Sequence, residues 1–177
     1  MGIDSGRVHV LRLELHVDGP EDGEPQSPIP LSAWGPLGRV LEGELASLYP
    51  EIVRYGTVEL SVTLLGSDEM RSVNREYRER DEATDVLSFP LWEADGRFVP
   101  DGALTELLPL GDILICPEEV ARLHEGLPPE DAFCLVLAHG FLHLLAWDHD
   151  TEERESAMWA RQDAVKQRLL DVLRGGH

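Results

Sequence analysis

Cysteine is scarce in this chain of 177 residues: only Cys116 and Cys134 occur. Two isolated thiols exclude the dense disulfide framework of a small secreted domain and point to a reducing compartment. Long apolar runs are missing as well. The longest, Ala132 to Trp147, spans 16 residues and contains two histidines, too short and too polar to cross a bilayer. The first seven residues, Met1 to Arg7, show no basic region leading into an apolar stretch. Gly6 stands where a myristoylation signal needs Ser or Thr, so neither leader nor lipid anchor is expected. Positive charge is the third shortage. Lys and Arg total 15 against 34 Asp and Glu, a formal net charge of −19. That balance excludes a whole-chain basic footprint for polyanions and disfavours an anionic membrane surface. The expectation is a cytoplasmic protein without a membrane partner.

What remains is ample for a folded core. A hydrophobic fraction of 42% excludes a disordered chain, and the length suits one domain spanning residues 1–177. Val8 to Val17 alternates, with Leu11, Leu13, Leu15 and Val17 on one face, which predicts a strand. Asp18 to Pro30 has no periodicity and reads as a loop. A helix is expected within Leu37 to Leu48, and a second strand along Val58, Leu60, Val62 and Leu64. Ser67 suits the N-cap of a short helix reaching Tyr77. Val86–Phe89 and Gly111–Cys116 read as strands, with 91–110 between them as a mobile loop or flap. Pro117 and Pro128–Pro129 open two further helices, the second apolar all round and therefore central. A last amphipathic helix starts near Asp150 and ends at Gly175–Gly176. The fold class is α+β: a small mixed sheet of about four strands packed with about five helices.

The central helix holds the strongest chemical signal. His139 and His143 lie about 40° apart around a helix and one turn apart along it, so both imidazoles can aim at one point. His149 follows six residues later, before the next helix begins, and a chain that turns back delivers a third nitrogen. Three histidines with one open coordination position describe a catalytic divalent-metal site, most often zinc. Buried imidazoles without partners are costly, and coordination satisfies them. The spacing resembles the zinc-protease pattern His-Glu-x-x-His-x-x-Gly-x-x-His, but Gly140 replaces the general-base Glu, which argues against peptide hydrolysis. Ala146 replaces the turn Gly. A positive φ there costs about 1 kcal/mol; a turn one residue later, or a helix continuing to Trp147, avoids it. Cys134 lies about 140° from His139 around the helix. For both cysteines a buried inert thiol is the simpler reading. His9, His16, His124 and His177 read as surface residues.

A second signal is local positive charge. Arg71, Arg75, Arg78 and Arg80 fall within ten residues that carry only two glutamates, a segment of net +2 in an acidic protein. Guanidinium forks bind phosphate oxygens in pairs. Three blocks now stand in order: Asn74-Arg-Glu-Tyr77-Arg78 through Thr84-Asp85-Val-Leu-Ser88-Phe-Pro90; Leu110-Gly-Asp112-Ile-Leu-Ile-Cys116; and His139-Gly-Phe-Leu-His143 through Asp148-His149. Together they resemble the bacterial YbeY family over roughly residues 57–173; the first 56 residues match only as a strand followed by a helix.

The resemblance implies a zinc-dependent, single-strand-preferring endoribonuclease that acts in ribosomal RNA maturation, at the small-subunit 3′ end, and in ribosome quality control. It implies His139, His143 and His149 as metal ligands, Arg78 as the functional arginine of the cleft, and Asp112 as a position for docking on a small-subunit ribosomal protein. RNA, the small ribosomal subunit and a ribosome-associated GTPase are the partners it implies. Trp147 stands where the family usually has Tyr, keeping the ring and losing the hydroxyl. Asp85 or Asp148 either orients a ligand imidazole through its second nitrogen or serves as a cap or turn carboxylate. Zinc is the first choice of metal, with another divalent ion open. Two other functions fit three histidines: a non-catalytic ribosome-assembly factor with a structural metal, and a metal-dependent hydrolase of another substrate.

Overall fold

The computed structural model describes residues 10–19, 27–101 and 107–175. His9, His177, the start of the first predicted strand, part of the 18–30 loop and residues 102–106 lie outside them. Six strands are described: β1 (Arg12–Asp18), β2 (Thr57–Leu64), β3 (Val86–Pro90), β4 (Glu93–Ala94), β5 (Arg97–Phe98) and β6 (Leu107–Ile115). The helices are α1 (Trp34–Leu48), α2 (Ser67–Arg78), α3 (Pro117–Leu123), α4 (Pro129–Leu144) and α5 (Glu152–Gly175). Four strands form one mixed sheet in the order β1-β2-β6-β3, parallel except for β3, which runs antiparallel to β6. The α+β expectation is met, five α-helices and a four-stranded mixed sheet included.

Alternation sorts the two faces of this sheet. Leu13, Val58, Leu60, Val62, Leu108, Leu110, Ile113 and Ile115 are buried with residues of α1, α4 and α5 in the main core. The opposite face presents Glu14, His16, Glu59, Ser61 and Asp112, and α2 covers one end of it through Met70 and Val73 against Leu87, Phe89 and Leu114. Leu110 and Ile113 can both point inward only because β6 carries a bulge, seen as a register shift opposite Glu59 and Ser61. Gly111 makes the bulge possible. Its φ is +132°, and a Cβ there would sit 2.2 Å from the Phe89 carbonyl oxygen.

Two expectations need correction. The strand expected over 111–116 begins at Leu107, four residues early, despite Pro109. β3 pairs only with Gly111–Ile115, so Pro109 has β2 alone as a neighbour and no ladder hydrogen bond is lost on its other side. The described parts of the 91–110 segment, residues 91–101 and 107–110, carry strand and hairpin structure where a loop or flap is expected. Asp95 and Gly96 have φ of +52° and +71°, an Asp-Gly turn that closes the β4–β5 hairpin. Trp92 Nε1 donates to the Pro109 carbonyl at 2.6 Å, and Phe98 packs edge-on against Tyr49.

Candidate active site

The end of α4 decides where the third histidine goes. Trp147 N–H donates to the Leu142 carbonyl and Ala146 N–H to the His143 carbonyl, with Ala146 at φ +63°. This paired closure around a left-handed residue is a Schellman motif. Of the three readings of Ala146, the strained one holds: α4 stops at Leu144, and Ala takes the conformation that Gly adopts freely. The chain reverses there and brings His149 back beside α4.

The result is a compact cluster. One ligating nitrogen each from His139, His143 and His149 lies within 4.8 Å of the other two. His139 Nε2 and His143 Nε2 are 2.9 Å apart. His139 Nδ1 lies 2.7 Å from Gln162 Oε1 on α5, and the Trp147 backbone hydrogen-bonds His143. Each ring thus has a hydrogen-bond partner besides the other, and the facing Nε2 atoms converge with lone pairs that a proton or a cation must separate. Burial, followed by the neighbouring imidazole, holds His143 down at about 4. Burial also lowers His139, against the opposing hydrogen bond from Gln162. Both rings are neutral donors at neutral pH, and with His149 they form a nitrogen set suited to zinc or a similar divalent ion. Trp159 of α5 stacks on His139 and His149, ring centroids 5.9 and 5.6 Å away.

Gly140, in place of the protease Glu, is a packing requirement. A Cβ at this position would meet Ile113 Cγ2 at 2.8 Å, Ser88 Oγ at 3.2 Å and Val86 Cγ2 at 3.3 Å. Here α4 lies directly on β3 and β6, leaving no room for a general-base side chain. Ser88 Oγ donates to the Gly140 carbonyl at 3.2 Å, tying the histidine helix to β3.

The histidines line one wall of a cleft of about 830 Å³, with Arg78, Arg80, Arg122 and Arg154 also on its surface. Most of these guanidinium groups are engaged. Arg154 holds Asp150 and the Ala146 carbonyl, Arg122 holds Glu119, and Arg80 lies 3.9 Å from Glu82. Arg78 makes no ion pair among the described residues, and its Nη2 reaches only the Ser88 carbonyl at 3.4 Å. The expected basic segment is narrower than its sequence suggests. Asp81, one residue beyond it, takes both Nε and Nη2 of Arg71 and lies 3.7 Å from Arg75. Buried Asn74 supports the turn after α2, donating from Nδ2 to the Glu82 carbonyl at 2.8 Å.

The two carboxylates offered as orienting groups are used otherwise. Asp85 accepts from Val86 N–H and contacts His124 Nε2 at 2.9 Å, so His124 is a half-buried partner rather than a surface residue. Asp148 accepts from its neighbour His149 N–H, as a turn carboxylate does. Both act on His139 through charge alone. The group against a ligand imidazole is Gln162 on α5, which the sequence reading passed over; its one available signal is a place on the helix face of Met158 and Val165. Cys116 is buried with Met70 and Leu87, and burial raises the Cys134 thiol to about 12, so both are inert. His16 is exposed beside Glu59 on the open sheet face, and Asp112 is exposed on that face too.

Fold and cluster together place the chain among α+β proteins with a three-histidine group able to hold a divalent metal. A family profile described as Endoribonuclease YbeY matches residues 39–170. Relatives of that name include one from Halalkalibacterium halodurans, 36% identical over 133 residues, covering 68% of this chain and 81% of the relative. Another, from Halorhodospira halophila, is 39% identical over 118 residues, covering 65% and 70%. The solution structure of a Thermotoga maritima protein superposes with a TM-score of 0.58 at 25% identity, over 92% of this chain and 93% of that one. The chain belongs to the YbeY endoribonuclease family. Among the described residues, no helix is long and apolar enough to cross a membrane.

Proposed function

We propose that this protein is a single-strand-preferring, metal-dependent endoribonuclease of the cytoplasm, acting in ribosomal RNA maturation at the small-subunit 3′ end and in ribosome quality control. The observation that carries the reading is the pairing, in one cleft, of three converging imidazoles with an arginine that has no ion pair among the described residues. His139, His143 and His149 are the proposed ligands, and zinc is the proposed ion. A divalent cation held there supplies Lewis acidity toward water and phosphoryl oxygens. Arg78 is the proposed catalytic arginine: phosphodiester cleavage builds negative charge on those oxygens, and a guanidinium fork stabilises it. Asp85 and Asp148 contribute negative charge near the ligands without touching the rings.

The net charge of −19 opposes strong unassisted binding to RNA, because that affinity comes largely from cation contacts. Substrate is therefore delivered by partners: the small ribosomal subunit, one of its proteins docking at Asp112, and a ribosome-associated GTPase. The test is metal analysis paired with RNA cleavage by ribonuclease-free preparations. His143→Ala is expected to lose metal and cleavage together. Arg78→Ala is expected to keep its metal and lose cleavage by about 10²–10³-fold, the scale of a deleted charge-stabilising donor. Full cleavage by His143→Ala refutes the reading. Metal retained without any cleavage by the wild type favours the assembly factor. Asp112→Ala is expected to spare cleavage of naked RNA and weaken it on ribosomal particles.

A further inference from the structure

Along its buried face, α5 presents Met158, Val165 and Leu169, each fully excluded from solvent, and among them Gln162, only 7% exposed. A buried amide in an apolar stripe is expensive unless something uses it. Here the user is His139, whose Nδ1 lies 2.7 Å from Gln162 Oε1. An amide oxygen only accepts, so the proton of this contact sits on the imidazole Nδ1. That leaves the lone pair of His139 on Nε2, the atom facing His143. A reversed amide would donate to Nδ1 and put the ring proton on Nε2, where no cation binds. Three residues earlier on α5, Trp159 lies against the same ring, its plane 25° from that of His139. Edge and face of His139 are therefore both set from α5, a different helix from the one that carries it.

We infer that Gln162 is a positioning residue, holding His139 in the Nδ1–H tautomer with its Nε2 aimed at the metal position. The inference rests on the metal-site reading above. A neutral amide sets the tautomer without adding negative charge to a site that must receive a polyanion, which a carboxylate at the same place would do.

The experiment uses the full chain in four forms: wild type, Gln162→Leu, Gln162→Glu and His143→Ala. Zn²⁺ affinity is read by competition with a chromophoric chelator. The His139 tautomer is read from imidazole ¹⁵N shifts of the metal-free protein, and folding from its urea unfolding. Gln162→Leu is expected to weaken Zn²⁺ binding by about 10–100-fold, to move the His139 proton to Nε2, and to leave a cooperatively folded protein. Gln162→Glu, which keeps an acceptor oxygen at the same reach, is expected to restore both tautomer and affinity. A merely structural role predicts lower unfolding stability with unchanged Zn²⁺ affinity and tautomer, and that result overturns the inference. Should Gln162→Leu fail to fold, a wild-type His139 protonated on Nε2, or a folded Gln162→Glu that binds Zn²⁺ about 10–100-fold more weakly than wild type, overturns it. Zn²⁺ binding by His143→Ala equal to wild type refutes the metal-site reading itself. Loss in His143→Ala with none in Gln162→Leu refutes only the role of Gln162.

Discussion

Gly140→Ala sets two opposed effects against each other inside the histidine helix. Alanine gains about 1 kcal/mol over glycine in a helix interior. The new methyl would stand 2.8 Å from Ile113 Cγ2, closer than side-chain carbons approach, and 3.2–3.3 Å from Ser88 Oγ and Val86 Cγ2. None of these neighbours moves freely: Val86 and Ile113 are β-branched strand residues, and Ser88 is held by its bond to the Gly140 carbonyl. Relief requires α4 to lift from β3 and β6. Overpacking of this kind costs about 1–3 kcal/mol, and rigid neighbours place it near the top of that range. The net expectation is a loss of about 1–2 kcal/mol, or about 2–8 °C in Tm for a chain this long. Thermal unfolding of the metal-free protein reads it directly. Lifting the helix also displaces His139, so metal affinity should fall with stability. A variant as stable as wild type, or stabilised by the full helix-propensity gain, would falsify the packing argument.

Ala146→Gly relieves the strained residue that closes α4; it should raise the unfolding free energy by up to about 1 kcal/mol, and the midpoint with it, part of the relief being offset by the lost methyl contact. An unchanged or lower midpoint counts against strain at Ala146. Glu44 is buried between α1 and α5, paired with Arg168 and 3.7 Å from Arg161. Glu44→Ala should cost about 1–3 kcal/mol in urea unfolding, less than an orphaned buried charge because both guanidinium groups reach water. Acid should unfold the chelator-treated protein through its histidines. His143 is depressed from 6.5 to about 4, so the unfolded chain binds more protons between those values. Stability should therefore be full above pH 6.5 and decline toward pH 4. His143→Leu should flatten that decline, and an equally steep profile in the variant assigns the acid sensitivity elsewhere.

Much of this molecule was legible in its amino-acid order because the relevant signals are local. Alternation marked β1 and β2, Pro117 and Pro129 marked helix starts, and helical spacing put His139 and His143 on one face. The α4–α5 turn was legible as a question, since Ala146 could be strained or avoid strain; backbone hydrogen bonds to Leu142 and His143 answered it. The β4–β5 hairpin was missed although Asp95-Gly96 is its usual signature, because the flanking strands are only two residues long. Pro109 hid the start of β6, since whether a missing N–H matters depends on which neighbour is present.

By itself, then, the sequence determined the helix that carries two histidines, a third histidine six residues after the second, the scarcity of thiols and the acidic balance. These follow from chain periodicity and side-chain chemistry, which need no distant partner. Tertiary structure alone decided which polar group meets which. It set Asp81 against Arg71, Asp85 against His124, and Gln162 against His139. It left Arg78 without an ion pair among the described residues, and it shifted β6 by one residue so that Asp112 faces outward. Each pairing joins residues 10–39 positions apart, and short-range order carries no information about which carboxylate or amide will arrive first at a given site.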